Sequence, residues 1–189
     1  MDEIKNSCFI LISQIKFLKI NLGQKIMRRK DREVTDFNKI VSIIDKCEII
    51  RIGLADGEYP YIVPLNFHYE VAEKNHLNFY VHGATAGRKY ELMQKNKRCS
   101  FEMDVPLKID YLYDCHDITM RYESVMGTAD LEFIKDEDKE KIMQEKILSR
   151  HEEMSKFPWN KDSLKRCVIV RISVNEILAK ANPLNGGAD

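Results

Sequence analysis

The stretch that decides the fold reads GEYPYIVPLNFHYE (57–70), VAEKNH (71–76) and LNFYVHGATAGRKYELMQKN (77–96). Up to His82 it is rich in β-branched and aromatic side chains alternating with polar ones, the period of a half-buried strand. YIVPLNFHYEV (61–71) and HLNFYVH (76–82) are therefore predicted strands, joined through the turn residues Glu73-Lys74-Asn75. From Arg88 the period lengthens, and Tyr90, Leu92 and Met93 mark a helix that ends near Lys95. Between them, Gly83, Ala84, Ala86 and Gly87 clear side chains from a strand-to-helix turn. Arg88 and Lys89 then place two cations where the amides of a helix start also point outward, the elements of a phosphate cradle. The spacing is neither that of a Walker loop nor that of a Rossmann fingerprint.

Upstream, IIRIGLA (49–55) is a further strand whose connection carries Asp56-Gly57 and Pro60, so the three strands are expected to form an antiparallel meander. Before it, Phe37, Ile40, Val41, Ile44 and Cys47 recur at helical steps behind Thr35 or Asp36 as N-cap, giving a helix that ends near Lys46. Downstream, RCSFEMDV (98–105) is a strand and 106–117 reads as irregular. ITMRYESVMGTADLEFI (118–134) is too long for one flat strand and should bend near Gly127. DEDKEKIMQEKILSR (136–150) is a charged helix with Ile142, Met143, Lys146 and Ile147 inward, Phe157 and Trp159 are expected to plug a barrel end or dimer seam, and CVIVRISVNEILAK (167–180) is the last strand. The fold class is mainly β: a closed or nearly closed antiparallel β-barrel with helices at its openings, because closure removes exposed edges. Residues 27–181 form the domain, 1–26 an N-terminal extension ahead of MRRKDREV (27–34), and 182–189 a flexible tail.

The 189 residues balance 30 Lys+Arg against 30 Asp+Glu, a zero net charge that supplies no field to gather nucleic acid, and the run Arg28 to Glu33 is interrupted by acids. No apolar run reaches the ~18 residues of a membrane span, and no cleavage site follows the interrupted run at Cys8–Leu18, so neither a membrane nor a signal peptide is expected. Five cysteines, none within a dozen positions of another, fit a cytoplasmic location and no disulfide framework. Cys115-His116-Asp117 offers ligand types, but three consecutive residues cannot all face one ion, and no metal site is predicted. Pro64 inside a strand-like run points to an edge, where backbone groups stay free for a planar ligand. Asn66 lies on the face of Pro64, and His82 ends the next strand where it meets the turn.

These residues carry a resemblance. YPY-VPLNF, F-x-HGA-x-x-GRK and RYESV-x-G, spread over Met27 to Glu176, resemble the pyridoxamine 5′-phosphate oxidase-like FMN-binding split-barrel superfamily and, within it, the nitroimidazole-resistance type of flavoproteins. The resemblance implies a homodimer with two FMN molecules in clefts between subunits. It implies that Arg88 and Lys89 hold the phosphate, that the backbone of Val63, Pro64, Leu65 and Asn66 lines the flavin ring, and that His82-Gly83-Ala84 approaches the ribityl phosphate. It further implies that Glu123 and Ser124 reach the neighbouring subunit's cofactor. His82-Gly83 stands where oxidases of vitamin B6 have Tyr-Thr, and their C-terminal arginine signature is missing, which turns the reading away from vitamin B6 oxidation.

The function expected from the resemblance is an FMN-dependent oxidoreductase that takes electrons from a nicotinamide or protein donor and passes them to a small aromatic, in one version nitroaromatic, acceptor. His82 is the candidate catalytic residue, as proton donor or anchor. The alternative is a non-catalytic FMN- or haem-binding carrier or sensor, with His82, His68 and His116 as available haem ligands.

Overall fold

A computed structural model describes residues 27–147 and 160–182. The expected extension at 1–26, the end of the charged helix, the Phe157–Trp159 loop and the tail beyond 182 fall outside the described residues. The architecture belongs to the compact unit that begins at Arg32.

The opening helix forms as the spacing requires. α1 (Phe37–Lys46) is capped by Asp36, whose carboxylate accepts from the Lys39 amide at 2.8 Å, and it buries Ile40, Ile43 and Ile44. A short β1 (Glu33–Val34) precedes it. β2 (Ile49–Leu54) and β3 (Tyr61–Asn66) make one antiparallel hairpin, and β4 (His68–Ala72) and β5 (His76–Ala84) make another. After α2 (Arg88–Lys95) come β6 (Arg98–Leu112) and β7 (Asp117–Phe133). α3 (Lys139–Ile142) continues into a π-helical turn at Met143–Ile147, and α4 (Lys161–Lys165) leads into β8 (Cys167–Ala181).

The strands join one antiparallel sheet in the order β3-β2-β6-β7-β8-β5-β4, with β1 added to β8. Alternation sends Ile50, Ile52, Phe101, Met103, Val125 and Ile172 to one side, where they meet α1 in the main core. On the other side of β5 and β8, Met143 packs with Tyr80 and Ile169 in a second, smaller cluster.

Three expectations need correction. The sheet does not close into a barrel: β3 pairs with β2 alone and β4 with β5 alone, so the path has two free ends. The cause lies in YIVPLNFHYEV, which is two strands rather than one. Phe67 between them turns into the core, with its ring edge-on to Phe79 at 5.7 Å, and the meander becomes two hairpins at opposite ends of the sheet. Residues 106–117 are not irregular either. The β6–β7 ladder runs out to Leu112↔Asp117, absorbing Leu107 and Lys108 in a register shift after Pro106. Pro106 and the interleaved Lys108 and Asp110 hid a strand here, whose alternating Leu107, Ile109 and Tyr111 are exposed rather than in the core.

The long strand β7 is continuous, and the irregularity near Gly127 is a register shift at Thr128/Ala129 whose extra residue, Asn175, lies on β8. A Cβ on Gly127 would stand 2.0 Å from the Glu176 carbonyl oxygen and 2.6 Å from the Phe101 ring. Both neighbours are held, one by backbone and one by the core. Gly127→Ala is therefore expected to destabilise the fold by about 1–3 kcal/mol or more, as overpacking does, read as a lower urea midpoint; an unchanged midpoint would show that β7 and β8 can move apart there.

Candidate functional site

β3 is an edge strand, which is where a proline is tolerated. Pro64 faces Arg51 of β2 and its strand has no partner on the other side. Val63 and Leu65 are half-buried toward the core, while Pro64 and Asn66 are exposed. On β5, Leu77, Phe79 and Val81 point into the main core, and His82 shares the opposite face with Asn78 and Tyr80.

α2 begins directly after this strand. Gly87 caps it with φ 97°, in the left-handed region that favours glycine, and supplies no side-chain hydrogen bond, so the first amides of the helix are uncapped by a side chain. Lys89 lies back over Gly83: a Cβ there would be 2.7 Å from its Nζ. Leu65, His82, Gly83, Ala84 and Lys89 line a cleft of about 10 Å³. Among the described residues Lys89 makes no ion pair. Arg88 is differently placed. Its Nε donates to Asp56 Oδ2 at 2.9 Å and its Nη2 to Asp56 Oδ1, so the guanidinium is gripped by the β2–β3 turn. Asp56 was legible in the sequence only as a turn residue.

The electrostatics favour a neutral imidazole at His82. Surrounding protein withholds hydration from the cation and the Lys89 ammonium adds repulsion, both lowering the pKa below its ordinary value. The residue is exposed, so solvent still reaches part of it and limits the effect. Behind it, Tyr80 donates to Glu70 at 2.5 Å and Lys146 of the π turn meets Glu70 at 2.6 Å, while burial keeps the Tyr80 phenol protonated. Burial likewise pushes the Cys99 thiol up to about 12, which makes it a poor nucleophile.

Within one chain Glu123 and Ser124 do not join this group. Glu123 faces Ala181 of β8 and His82 faces Ile169, positions roughly 40 Å apart along the strand at ~3.3 Å per residue. Glu123 instead receives Lys46 of α1 at 2.7 Å. A wider hollow of about 510 Å³ lies on the uncovered sheet face over Gly53, Ser100, Thr128 and Glu176. It is open and is also lined by Arg98 and Asn96, but the chemistry is sought at the smaller cleft, where a cation, an imidazole and a free strand edge converge. No group of three or more His, Cys, Asp or Glu among the described residues could hold a metal ion, and no helix among them is long and apolar enough to cross a membrane.

An open antiparallel sheet whose split lies beside a glycine-rich turn and a basic helix start defines a split-barrel protein. The profile of the pyridoxamine 5′-phosphate oxidase family matches residues 36–181, and the chain belongs to that family. Among solved structures it is similar to a candidate 5-nitroimidazole antibiotic resistance protein from Bacteroides thetaiotaomicron, at 28% identity over 79% of this chain and 86% of that one, with a TM-score of 0.67. The flavocytochrome Anf3 from Azotobacter vinelandii (15% identity, 87% and 75% covered, TM-score 0.69) and the FAD and heme binding protein from Mycobacterium smegmatis (12%, 84% and 76%, 0.68) share the fold. No curated protein matches.

The His82 environment can be measured. Its imidazole should titrate below the ordinary value of about 6.5, and Lys89→Met should raise it without restoring it fully, since burial is the larger cause. The penalty for charging a depressed histidine appears as pH falls through about 6.5 toward the folded pKa, so this group lowers stability on the acid side. Histidine-resolved NMR titration reads both; a His82 pKa above 6.5 would contradict the placement.

Proposed function

We propose that this protein is an FMN-binding oxidoreductase of the nitroimidazole-resistance type that works as a homodimer. The observation that carries the reading is Lys89, without an ion pair among the described residues and held over Gly83 at the start of α2, beside His82 and the free edge of β3. The residues fit a flavin phosphate: glycine at 83 leaves room that any side chain would contest with the lysine, and the α2 amides lack a competing cap. The resemblance in sequence and the similarity to the Bacteroides protein support the same reading.

Bound FMN would supply the redox chemistry between a nicotinamide or protein donor and a small aromatic, including nitroaromatic, acceptor. The protein's own contributions follow from its groups. Lys89, Arg88 and the α2 amides hold the phosphate, and the Gly83-Ala84 backbone allows its close approach. The edge backbone of Val63, Pro64, Leu65 and Asn66 borders the ring and keeps water from one side. Neutral His82 holds a ring N–H near pH 7 that it can donate to an acceptor or use to orient it.

Glu123 and Ser124 belong to the proposal as groups of the partner subunit. The dimer draws support from the β6–β7 arm, where Ile109, Tyr111, Ile118 and Met120 share one face and each is more than 50% exposed. The domain is proposed as residues 27–181, with 1–26 and 182–189 dispensable for flavin binding.

The first experiment is the absorption spectrum of the purified protein and the mass of its released ligand. Flavin bands and FMN are expected; a Soret band, or failure to bind added FMN, would overturn the reading in favour of a haem protein or a cofactor-free fold. Arg88→Ala and Lys89→Ala should each weaken FMN about tenfold to a hundredfold, as loss of a charge-assisted phosphate contact does. Unchanged affinity in both would move the phosphate elsewhere.

His82→Gln separates catalysis from packing. At matched FMN occupancy, single-turnover reduction of a nitroaromatic acceptor should slow by about 10²-fold, the range of a general acid, while flavin reduction by the donor is preserved. A native acceptor rate would leave His82 as a wall of the cleft.

A further inference from the structure

Arg88 and Lys89 are neighbours in sequence but are held differently, and the difference involves a residue that the phosphate reading does not use. Lys89 has no ion-pair partner among the described residues, whereas Arg88 is gripped on its Nε/Nη2 edge by both oxygens of Asp56. This is the parallel, two-bond geometry that fixes a guanidinium in plane. The opposite edge makes no hydrogen bond: Glu91 Oε2 forms only a loose ion pair with it, 3.9 Å from Nη1 and beyond hydrogen-bond distance.

The pair is unequal in burial, with the Arg88 side chain 55% exposed and that of Asp56 22% exposed. An ion pair this open adds little to stability, so its consequence is geometric. Asp56 is also well anchored. It lies two residues past the end of β2, in the β2–β3 turn, and is followed by Gly57 at φ 66°, a left-handed turn position.

We infer that Asp56 is a positioning residue for phosphate recognition, acting through Arg88. By holding one edge of the guanidinium against the β2–β3 turn, Asp56 presents the Nη1 edge at the start of α2, on the same turn as Lys89. The flavin phosphate then meets two cations, Lys89 over Gly83 and Arg88 with its plane preset by Asp56. A five-donor guanidinium can serve a carboxylate and a phosphate at once; an ammonium at the same place could not offer the fixed plane. The inference rests on the FMN reading above.

The test compares FMN with riboflavin, which has the same ring and no phosphate, by fluorescence titration of wild type, Asp56→Asn, Asp56→Ala, Asp56→Glu, Arg88→Ala and the Asp56→Ala/Arg88→Ala double variant. Asp56→Asn and Asp56→Ala should each weaken FMN by about fivefold or more while riboflavin stays within about twofold, and Asp56→Ala should add no further loss once Arg88 is gone. Asp56→Glu should recover part of the FMN affinity.

Equal losses for both ligands would mean that Asp56 only supports the hairpin. Unchanged FMN affinity would mean that the pair is an idle surface contact, and tighter FMN binding that Asp56 competes with the phosphate; each result overturns the inference. A wild-type protein that binds neither ligand overturns the FMN reading and this inference together, whereas wild-type FMN binding with indifferent Asp56 variants overturns this inference alone.

Discussion

Phe67 is the single residue between β3 and β4, and its ring is fixed in the core against Phe79. β3 and β4 are also the two ends of the sheet path. Successive Cα atoms lie about 3.8 Å apart, so a one-residue link obliges the sheet to curl until its first and last strands meet at that end. The same inward turn of Phe67 ends one ladder and starts the other, so the meeting strands do not pair. Curling and splitting thus have one cause, and the free backbone of β3 is left beside the end of β5.

What stands next to that opening follows from strand alternation and helix ends. Val81 continues the core, His82 turns to the opposite face, and Gly83 brings the backbone under Lys89 without a side chain between them. α2 then starts with a glycine cap, which leaves amides at the same place. The cations are kept apart by assignment rather than distance: Arg88 answers to Asp56 on the neighbouring hairpin, and Lys89 answers to nothing else in the described chain. Two like charges at a helix start disfavour each other and the local dipole, an arrangement that an incoming dianion relieves.

Much of this was legible in the sequence because it is local. An N-cap at Thr35 or Asp36, strands over 49–55 and 167–180 that the structure moves by one residue, the turn at Gly83–Gly87 and the edge character of Pro64 each follow from residue type and spacing. What was not legible is long-range. The alternation in YIVPLNFHYEV continues through Phe67 without a break, so nothing local shows that its halves pair with β2 and β5 at opposite ends of the sheet. The arm over 106–117 was missed because Pro106 and the interleaved charges masked the alternation of Leu107, Ile109 and Tyr111, which lies outside the core. The Arg88–Asp56 contact joins residues in different hairpin and helix elements, and only the curl of the sheet brings them together.

The geometry of the proposed site is what favours a second copy. The cleft beside Lys89 measures about 10 Å³, close to the least that admits a single water, whereas ligand pockets span roughly 300–1,000 Å³. The proposed FMN would therefore lie outside this cleft, its ring along the β3 edge and its phosphate at the cleft's mouth beside Lys89. In a single chain such a ring would keep one face in water. Glu123 and Ser124, far along the sheet from His82, cannot cover it from within the same chain. They could do so from a second copy placed by a two-fold axis, which would repeat the contact at both sites. The apolar face of the β6–β7 arm continues the same ladder from Glu123 outward, so the elements proposed to complete the site and those proposed to hold the dimer lie on one pair of strands.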